Sequence, residues 1–219
     1  MAINIQDFFQ QMTTRICSSL DIEIALQRTL HYLAAHMPVE FIFLHLYEQS
    51  IGAVRTIAEV TATQTRSLDV ITPLSREGRA SFEEPGVENT RIVNNSNEDP
   101  VIKKISESLN MPKMSALVIR LFIEGERLGS LAIATRGGSK YTEEHRRLIS
   151  ALNEPFAIAL SNALKYQEVI RLKERLTDDN RYLSQELLRL SSEEIIGING
   201  GLRKIMGMVR KVASLDSPV

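Results

Sequence analysis

Two apolar runs joined by a very short polar turn constrain the fold of this chain more than any other feature. The runs are SALVIRLFI and RLGSLAIATR, and the residues between them are Glu124, Gly125 and Glu126. Because glycine adopts a positive φ at low cost, such a turn can connect two antiparallel strands directly. The sequence therefore predicts a β-hairpin over residues 115–136.

A long amphipathic helix is predicted after the hairpin. Thr142 can cap its first backbone amides, and Glu143 and Glu144 lie where the helix dipole favours negative charge. Its apolar face would carry Leu148, Leu152, Phe156, Ala159 and Ala163. Pro155 lies within this segment, so a kink is expected there. A hairpin covered by a following helix is an α+β arrangement.

These elements, in this order, resemble the C-terminal half of a GAF domain. The resemblance is carried by the glycines and Leu131 of the hairpin (residues 125–131), by the run YTEE (residues 141–144) and by AIALSNA (residues 157–163). It implies an α+β GAF domain over residues 1–166, an antiparallel sheet with flanking helices on one face. It also implies a ligand sensor or dimerisation module rather than a catalyst.

Residues 4–37 are predicted to form two helices. The first would bury one face formed by Ile5, Phe8, Phe9, Met12 and Ile16. Asp21 is the expected cap of the second helix, whose apolar face carries Ala25, Leu26, Leu30 and Leu33. Both patterns follow the helical period.

Residues 40–47 are predicted to be a central strand, because both of its faces are largely apolar. Ile42, Leu44 and Leu46 would pack on the helices, whereas Phe41, Phe43, His45 and Tyr47 would line a cavity. Residues 53–60 and 67–74 are the expected next two strands. Between 75 and 112 we expect a short helix over 75–82, a strand over 91–94 and a helix over 100–109. In GAF domains, this middle region covers the pocket.

The candidate ligand-binding residues are Phe43, His45, Tyr47, Arg79, Asn94 and Arg120. The histidine and arginines favour a small polar metabolite or an acid as an effector, which the sequence does not identify. The alternative is that Phe43 and Tyr47 belong to the core, that Arg79 is solvated and that Asn94 caps a turn. That alternative corresponds to a GAF domain without a ligand, serving as a dimerisation platform.

A heptad pattern begins after Tyr166. The spacing alternates between four and three residues along Val169, Lys173, Leu176, Asn180, Leu183, Leu187 and Leu190. This pattern predicts a parallel two-stranded coiled coil over residues 167–192, with Asn180 at a position that fixes the register. The alternative is a helix that lies on its own domain. Because three heptads are marginal alone, the homodimer would also need the helices of the globular domain.

The last segment, residues 193–219, resembles the opening of the AAA+ ATPase domain of bacterial sigma-54-dependent transcription activators. The matching residues are Ile195, Ile196, Gly197, Leu202, Ile205, Val212, Ala213, Asp216, Pro218 and Val219. Gly200 and Gly201 depart from the pattern. A helix is expected over 201–212, with Leu202, Ile205, Met206 and Val209 on one face.

Together the resemblances imply a regulatory region that binds a small-molecule signal and controls the ATPase of such an activator. No phosphate-binding G-x-x-x-x-G-K-[ST] spacing occurs in the sequence, so we expect no ATPase activity here. ATP and Mg²⁺, sigma-54 RNA polymerase and DNA would be bound only by domains absent from this sequence.

Composition excludes several other classes of function. The formal net charge of −1 gives no field for nucleic acid or an acidic membrane, and no apolar run approaches the roughly 20 residues of a membrane span. The N-terminus lacks the pattern of a secretory signal. A single cysteine, Cys17, excludes an intrachain disulfide. A bacterial cytoplasmic location is therefore expected.

No catalytic or metal-binding residues are predicted. His31, His36, His45 and His145 show no ligand spacing. Cys17 is expected to be a buried, inert thiol. An enzyme of the methionine sulfoxide reductase type would need several cysteines and is not expected.

Overall fold

A six-stranded antiparallel sheet forms the centre of the first part of the chain. The computed structural model describes residues 4–83, 89–190 and 200–213, and its contacts divide the chain after Gln167 into two units. The strands are β1 (Phe41–Glu48), β2 (Ala53–Val60), β3 (Thr65–Pro73), β4 (Thr90–Val93), β5 (Met114–Ile123) and β6 (Glu126–Arg136). The helices are α1 (Ile5–Cys17), α2 (Ile22–Leu33), α3 (Arg76–Glu83), α4 (Pro100–Ser108), α5 (Glu143–Ser150), α6 (Asn153–Leu190) and α7 (Arg203–Ala213).

The strand order is β3-β2-β1-β6-β5-β4, so β1 lies near the middle of the sheet with β2 and β6 on its two sides. The prediction of a central strand with two buried faces is confirmed. Ile42 and Leu44 belong to the core beneath the helices, whereas Phe41 and Phe43 belong to a second cluster on the other face. The predicted bounds of β2 are confirmed, and β3 begins two residues earlier than expected.

The predicted hairpin between β5 and β6 is confirmed, and its turn has two residues rather than the three that separate the apolar runs. Ile123 pairs with Glu126, and Glu124 and Gly125 both have positive φ, 50° and 83°. Two positive φ values in succession match the right-handed twist of the flanking strands. Further along β6, Gly129 lies so close to β1 that an added Cβ would be 2.0 Å from the carbonyl oxygen of His45. The hairpin therefore pairs with β1 without a side chain at this position.

In the described part of the chain, four helices cover one face of the sheet. Side chains of α1, α2, α5 and the first turns of α6 form one core with the strands, including Phe8, Met12, Leu26, Leu30, Leu33, Leu148, Phe156 and Leu160. Asp21 caps α2 and Thr142 caps α5, as predicted. Ile5 and Phe9 are exposed, which corrects the prediction that they join the buried face of α1.

The other face of the sheet is also covered by a helix, so the expectation of helices on one face alone is wrong. Ile102 of α4 and Leu109 pack against Phe41, Phe43 and the cavity-side residues of β5. Asp99 begins α4 by accepting hydrogen bonds from the amides of Val101 and Ile102, at 3.0 and 2.9 Å. The periodicity of the sequence gives a helix here but does not specify the side of the sheet.

The single kinked helix expected from Thr142 onward is instead two helices. α5 ends at Ser150 and α6 begins at Asn153. Pro155 therefore lies in the first turn of α6, where a backbone N–H has no partner within the helix. Proline at this position does not interrupt the helix, and no kink is needed.

The second unit contains the rest of α6 and α7. Along α6, the heptad side chains Val169, Leu176, Leu183 and Leu187 are exposed, and so are Leu202, Ile205, Met208 and Val209 near or in α7. α7 begins two residues later than expected. Ile195, Ile196, Gly197, Asp216, Pro218 and Val219, on which the ATPase resemblance partly rests, lie outside the described residues, as does the side chain of Val212.

Candidate ligand-binding site

The aromatic face of β1 opens onto a cavity, as the alternation along the strand leads one to expect. Phe43 and His45 line the cavity. Their ring centroids are 6.2 Å apart, and the ring of Phe41 stacks on Phe43 from the other side at 5.8 Å. The opposite wall comes mainly from α4, which lies across this face of the sheet.

Most of the cavity lining is apolar. The apolar side chains are Phe43, Phe82, Val101, Ile102, Ile105, Leu109, Met111, Met114, Ala116, Val118, Ala132 and Ala134. The polar ones are His45, Arg91, Ser96, Ser106 and Ser130. The space that the centres of water molecules can occupy is about 50 Å³, which is room for roughly four waters. A small organic molecule with one polar end would match this lining.

His45 is a neutral group at physiological pH. It is 5% exposed, and its Nδ1 lies 3.0 Å from the hydroxyl of Thr56 on β2. Burial lowers the pKa of its imidazole from 6.5 to about 4. His45 can therefore exchange a hydrogen bond with a ligand, but it supplies no positive charge.

A row of polar residues crosses the sheet at one end of the cavity. His45 on β1 pairs with Ser130 on β6, and Ser130 pairs in turn with Arg120 on β5. Directly paired residues point to the same face of an antiparallel sheet. Arg120 therefore emerges on the cavity face, next to a lining residue, and it is 6% exposed. Its backbone carbonyl accepts a hydrogen bond from the side chain of Asn153, the first residue of α6.

Arg91 brings a second guanidinium to this end. It lies on β4, pairs with Val118 on β5 and lines the cavity. One of its terminal nitrogens donates to the carboxylate of Asp99, the residue that caps α4. Its Nε is buried and has no hydrogen-bond partner among the residues that the structure describes. The side chain therefore joins the cavity wall to α4 and keeps one unused donor.

Arg127, on β6, supplies a third guanidinium. It lies over the ring of Phe82, 3.9 Å from the centroid, and donates to the backbone carbonyl of Phe82. Its Nε is also buried, and the described part of the chain offers it no hydrogen-bond partner. Burial, the largest cause, and the positive charges of Arg120 and Arg91 together lower the pKa of this guanidinium to about 10. The three arginines are thus electrostatic neighbours.

The remaining predicted ligand residues lie outside the described cavity lining. Tyr47 stacks on Phe82 with the ring centroids 5.1 Å apart. The Nε of Arg79 donates to the carbonyl of Leu74 at 3.3 Å, and its side chain lies against Gly52. Asn94 is exposed beyond the end of β4. The structure therefore brings together Phe43 and His45, with Arg120 beside them.

Sequence reasoning missed Arg91 and Arg127. The alternation within TRIV places Arg91 on the same face as Val93. No residue nearby in the sequence indicates that this face meets the cavity. Arg127 follows directly after a turn, a position typical of solvated charge. It is half-buried because α3, distant in sequence, places Phe82 against it.

The prediction that Cys17 is a buried thiol is wrong, because Cys17 is exposed at the end of α1. Among the described residues, no group of three or more His, Cys, Asp and Glu side chains is arranged to hold a metal ion. No helix in the described part of the chain is both long and apolar enough to cross a bilayer.

The sequence from residue 19 to 161 matches the family profile described as GAF domain. This chain belongs to the GAF-domain family. The match covers β1–β6 and the cavity between the sheet and α4, so the site described above lies within the family's fold. The earlier resemblance, made on residues 125–163, is confirmed and extended to the N-terminal half of the domain.

Curated relatives of this GAF protein are transcription activators. A formate hydrogenlyase transcriptional activator of Salmonella typhimurium is 40% identical over 94 residues, which is 42% of this chain and 14% of that protein. The DNA-binding transcriptional activator HyfR of Escherichia coli is 31% identical over 106 residues, 48% of this chain and 16% of that protein. The chain thus spans about a seventh of the length of the relatives it matches.

Solved structures share the fold at low sequence identity. The phycoerythrobilin-bound GAF domain of a cyanobacterial phytochrome has a TM-score of 0.52 at 17% identity, and the match covers 76% of this chain and all of that one. Free methionine-R-sulfoxide reductase of Neisseria meningitidis, in complex with its substrate, has a TM-score of 0.51 at 15% identity over 76% of this chain and 96% of that one. At these identities, the likeness concerns the fold alone.

Proposed function

We propose that this chain is the sensory region of a bacterial transcription activator, and that a small molecule bound in the GAF cavity controls an ATPase domain outside this sequence. The observation that carries the proposal is the cavity itself, lined by Phe43 and His45 on a central strand. Its setting in a chain similar to transcription activators supports a regulatory role. The proposal includes an ATPase domain, its nucleotide and sigma-54 RNA polymerase only because residues 193–219 resemble the opening of such an ATPase domain.

The rival function is a ligand-free dimerisation platform. On that reading, the aromatic face of β1 would be packed solid by the segment between β3 and β5. The described side chains of that segment instead leave an open space of about 50 Å³ in front of Phe43 and His45. This space favours sensing over a purely structural role.

A connection from the cavity to α6 is also part of the proposal. The side chain of Asn153 donates to the carbonyl of Arg120, which lies at the polar end of the cavity. A ligand that moves the backbone of β5 at Arg120 would therefore act on the first residue of α6. A ligand can shift this equilibrium only through different affinities for the two arrangements.

The output would be a parallel homodimer formed through α6. Val169, Leu176, Leu183 and Leu187 keep heptad spacing and are 56–66% exposed within one chain. Burying a leucine stripe of this kind is the usual driving force for a two-stranded coiled coil. Asn180, at an a position, would set the register.

Native mass spectrometry after incubation with a bacterial small-molecule extract tests the sensor. We expect an added mass on the protein, and its loss in Ala132→Leu, which fills the cavity from β6. Ala62→Leu, at an exposed position between β2 and β3, is the matched control and should retain the added mass. The same adduct in Ala132→Leu, or none in the native protein, would contradict a sensing cavity.

Sedimentation of the chain tests the dimer. Leu183→Asp should convert a dimer into a monomer, because a carboxylate at a d position is desolvated next to its twin. Gln185→Asp adds the same charge at the f position and should leave the dimer intact. A monomeric native chain would remove this part of the proposal.

Disulfide crosslinking tests the connection between the cavity and the dimer formed through α6. In a Cys17→Ser background, Leu183→Cys and Leu187→Cys report the d and a positions of the seam. We expect the extract to change their relative crosslinking yields, and Asn153→Ala to abolish that change while the added mass persists. Identical yields with and without the extract would rule out coupling through α6.

A further inference from the structure

One leucine on the exposed surface of α6 does not fit an uninterrupted heptad pattern. Leu172 is 49% exposed and lies beside Lys173, which strict four-three spacing places at a central a position. In a parallel pair of helices, the two copies of an a residue face each other. Two Lys173 ammonium groups would then meet at the centre of the seam, while two leucines would lie at its edge. An uninterrupted seam is therefore poorly matched at this level.

A shift of the heptad phase by one residue removes this mismatch. If Val169 and Leu172 form the centre of the seam, Lys173 takes an e position and Glu168 takes the g position of the preceding heptad. In a parallel dimer, a g residue lies next to the e residue that is five positions later in the partner helix. Glu168 of one copy would then pair with Lys173 of the other copy, twice by symmetry. This charge complementarity favours a second copy of the same helix as the occupant of this surface.

Beyond Leu176, the strict spacing fits better than the shifted one. Continued further, the shifted spacing would place two carboxylates, Asp179 and Glu186, at the centre of the seam. Each would be desolvated next to its twin, which is costly. The strict spacing places Asn180 and Leu187 there instead. The downstream half of the seam therefore keeps the original phase.

We propose that α6 binds a second copy of this chain through a seam that changes its heptad phase at Leu176. Upstream, Val169 and Leu172 form the centre between the two pairs of Glu168 with Lys173, and downstream the strict spacing continues. The steps along the seam from residue 169 to 187 are then three, four, four, three and four residues. Two successive steps of four are a stutter, which locally unwinds the supercoil. This assignment rests on the proposed dimer and specifies the residues that form it.

The uninterrupted seam is an accessible alternative to the stuttered one. Both contain Val169 and Leu176, so rotation of the helix upstream of Leu176 exchanges Leu172 for Lys173 at the centre and converts one seam into the other. The methylene groups of the lysine can lie along the seam while its ammonium reaches water. A dimer with two such arrangements has an equilibrium that a ligand can shift through different affinities for the two.

Charge reversal separates the stuttered seam from an uninterrupted one. Sedimentation equilibrium at pH 7.5 and constant ionic strength gives the dissociation constant of each dimer. Lys173→Glu and Glu168→Lys should each weaken the dimer about tenfold, because two attractive pairs become repulsive, and the double variant should restore the native affinity. In an uninterrupted seam, Glu168 lies at a c position, so Glu168→Lys would have no effect and would rescue nothing. Arg171→Glu is the control, since this position lies outside the seam in both phases.

Leucine truncation gives a second measurement on the same dimer. Leu172→Ala removes a leucine from the centre of the seam in both copies and should weaken the dimer about a hundredfold. Leu188→Ala makes the same change at a b position, where the side chain is 70% exposed, and should leave the affinity unchanged.

Two outcomes would overturn the change of phase, and they are distinguishable. In a dimeric native chain, failure of the double charge reversal to restore affinity, or equal effects of Leu172→Ala and Leu188→Ala, would remove the stutter and leave the dimer through α6 standing. A monomeric native chain would remove both the stutter and the dimer.

Discussion

On the helix-covered face of the sheet, Ile42, Leu44 and Leu131 are each at most 1% exposed, and side chains of α1, α2, α5 and α6 fill the space above them. The opposite face of the same strands is closed by α4 across a cavity, and it buries the imidazole of His45 and the guanidinium of Arg120. Burying polar groups and leaving space both cost stability. The helix-covered face therefore contributes most of the folding stability. The cavity face contributes less, because it retains a binding site.

Truncating one leucine on each face tests this difference in stability and has the largest expected effect. Leu131→Ala should lower the free energy of unfolding by about 2–5 kcal/mol, because it leaves a void in a filled core. Leu109→Ala removes the same atoms from a side chain that is only partly buried, so it should cost less, about 1–2 kcal/mol. Urea unfolding at pH 7.5 measures both. A larger loss for Leu109→Ala would mean that the cavity side carries the stability.

Acid should destabilise the domain through the cavity face. Above pH 6.5, His45 is neutral in both states, so its titration contributes nothing. As the pH falls from 6.5 toward about 4, the unfolded chain binds a proton that the folded protein does not. Each pH unit in this window then costs up to about 1.4 kcal/mol.

The comparison of unfolding free energies at pH 7.5 and 5.5 checks that prediction. We expect a loss of about 1 kcal/mol at pH 5.5 that disappears in His45→Gln. His31→Gln is the control, because His31 is exposed on α2. If the native protein and His45→Gln respond alike to pH, His45 is not the group that titrates.

The difference between the helix caps on the two faces is the smallest effect. Asp21 caps α2 and Asp99 caps α4, each through two backbone amides. Removal of either carboxylate by alanine should cost about 1 kcal/mol. Asp99→Ala should cost slightly more, because it also removes the partner of Arg91, and partly exposed ion pairs contribute less than about 1 kcal/mol. Equal costs in urea unfolding would show that the Arg91 pair adds nothing to stability.

The sequence was sufficient to predict those parts of the structure that depend on a local pattern. Alternation along β1 predicts both of its faces, including Phe43 and His45 on the cavity side. Gly125 predicts the hairpin, because a residue that adopts a positive φ at low cost is a local requirement of the turn. Asp21 and Thr142 predict helix starts through hydrogen bonds to amides two or three residues away.

Prediction failed where the outcome depends on distant partners. Arg79 packs on Gly52 rather than in the cavity because α3 folds back on the β1–β2 turn. Arg91 and Arg127 reach the polar end through the pairing of β4 with β5 and the position of Phe82, and neither is encoded near them. The kink predicted at Pro155 is not needed, because α5 ends at Ser150 and Pro155 lies in the first turn of α6, where proline is tolerated.

The short length of β4 affects how a ligand reaches the cavity. The strand has four residues and pairs with β5 alone at the edge of the sheet, so its separation breaks few backbone hydrogen bonds. Such partial opening requires much less free energy than global unfolding. The wall that holds Arg91 can therefore act as the entrance, and native-state hydrogen exchange should report faster amide turnover in β4 than in β1. A bound guest that engages Arg91 would slow that turnover.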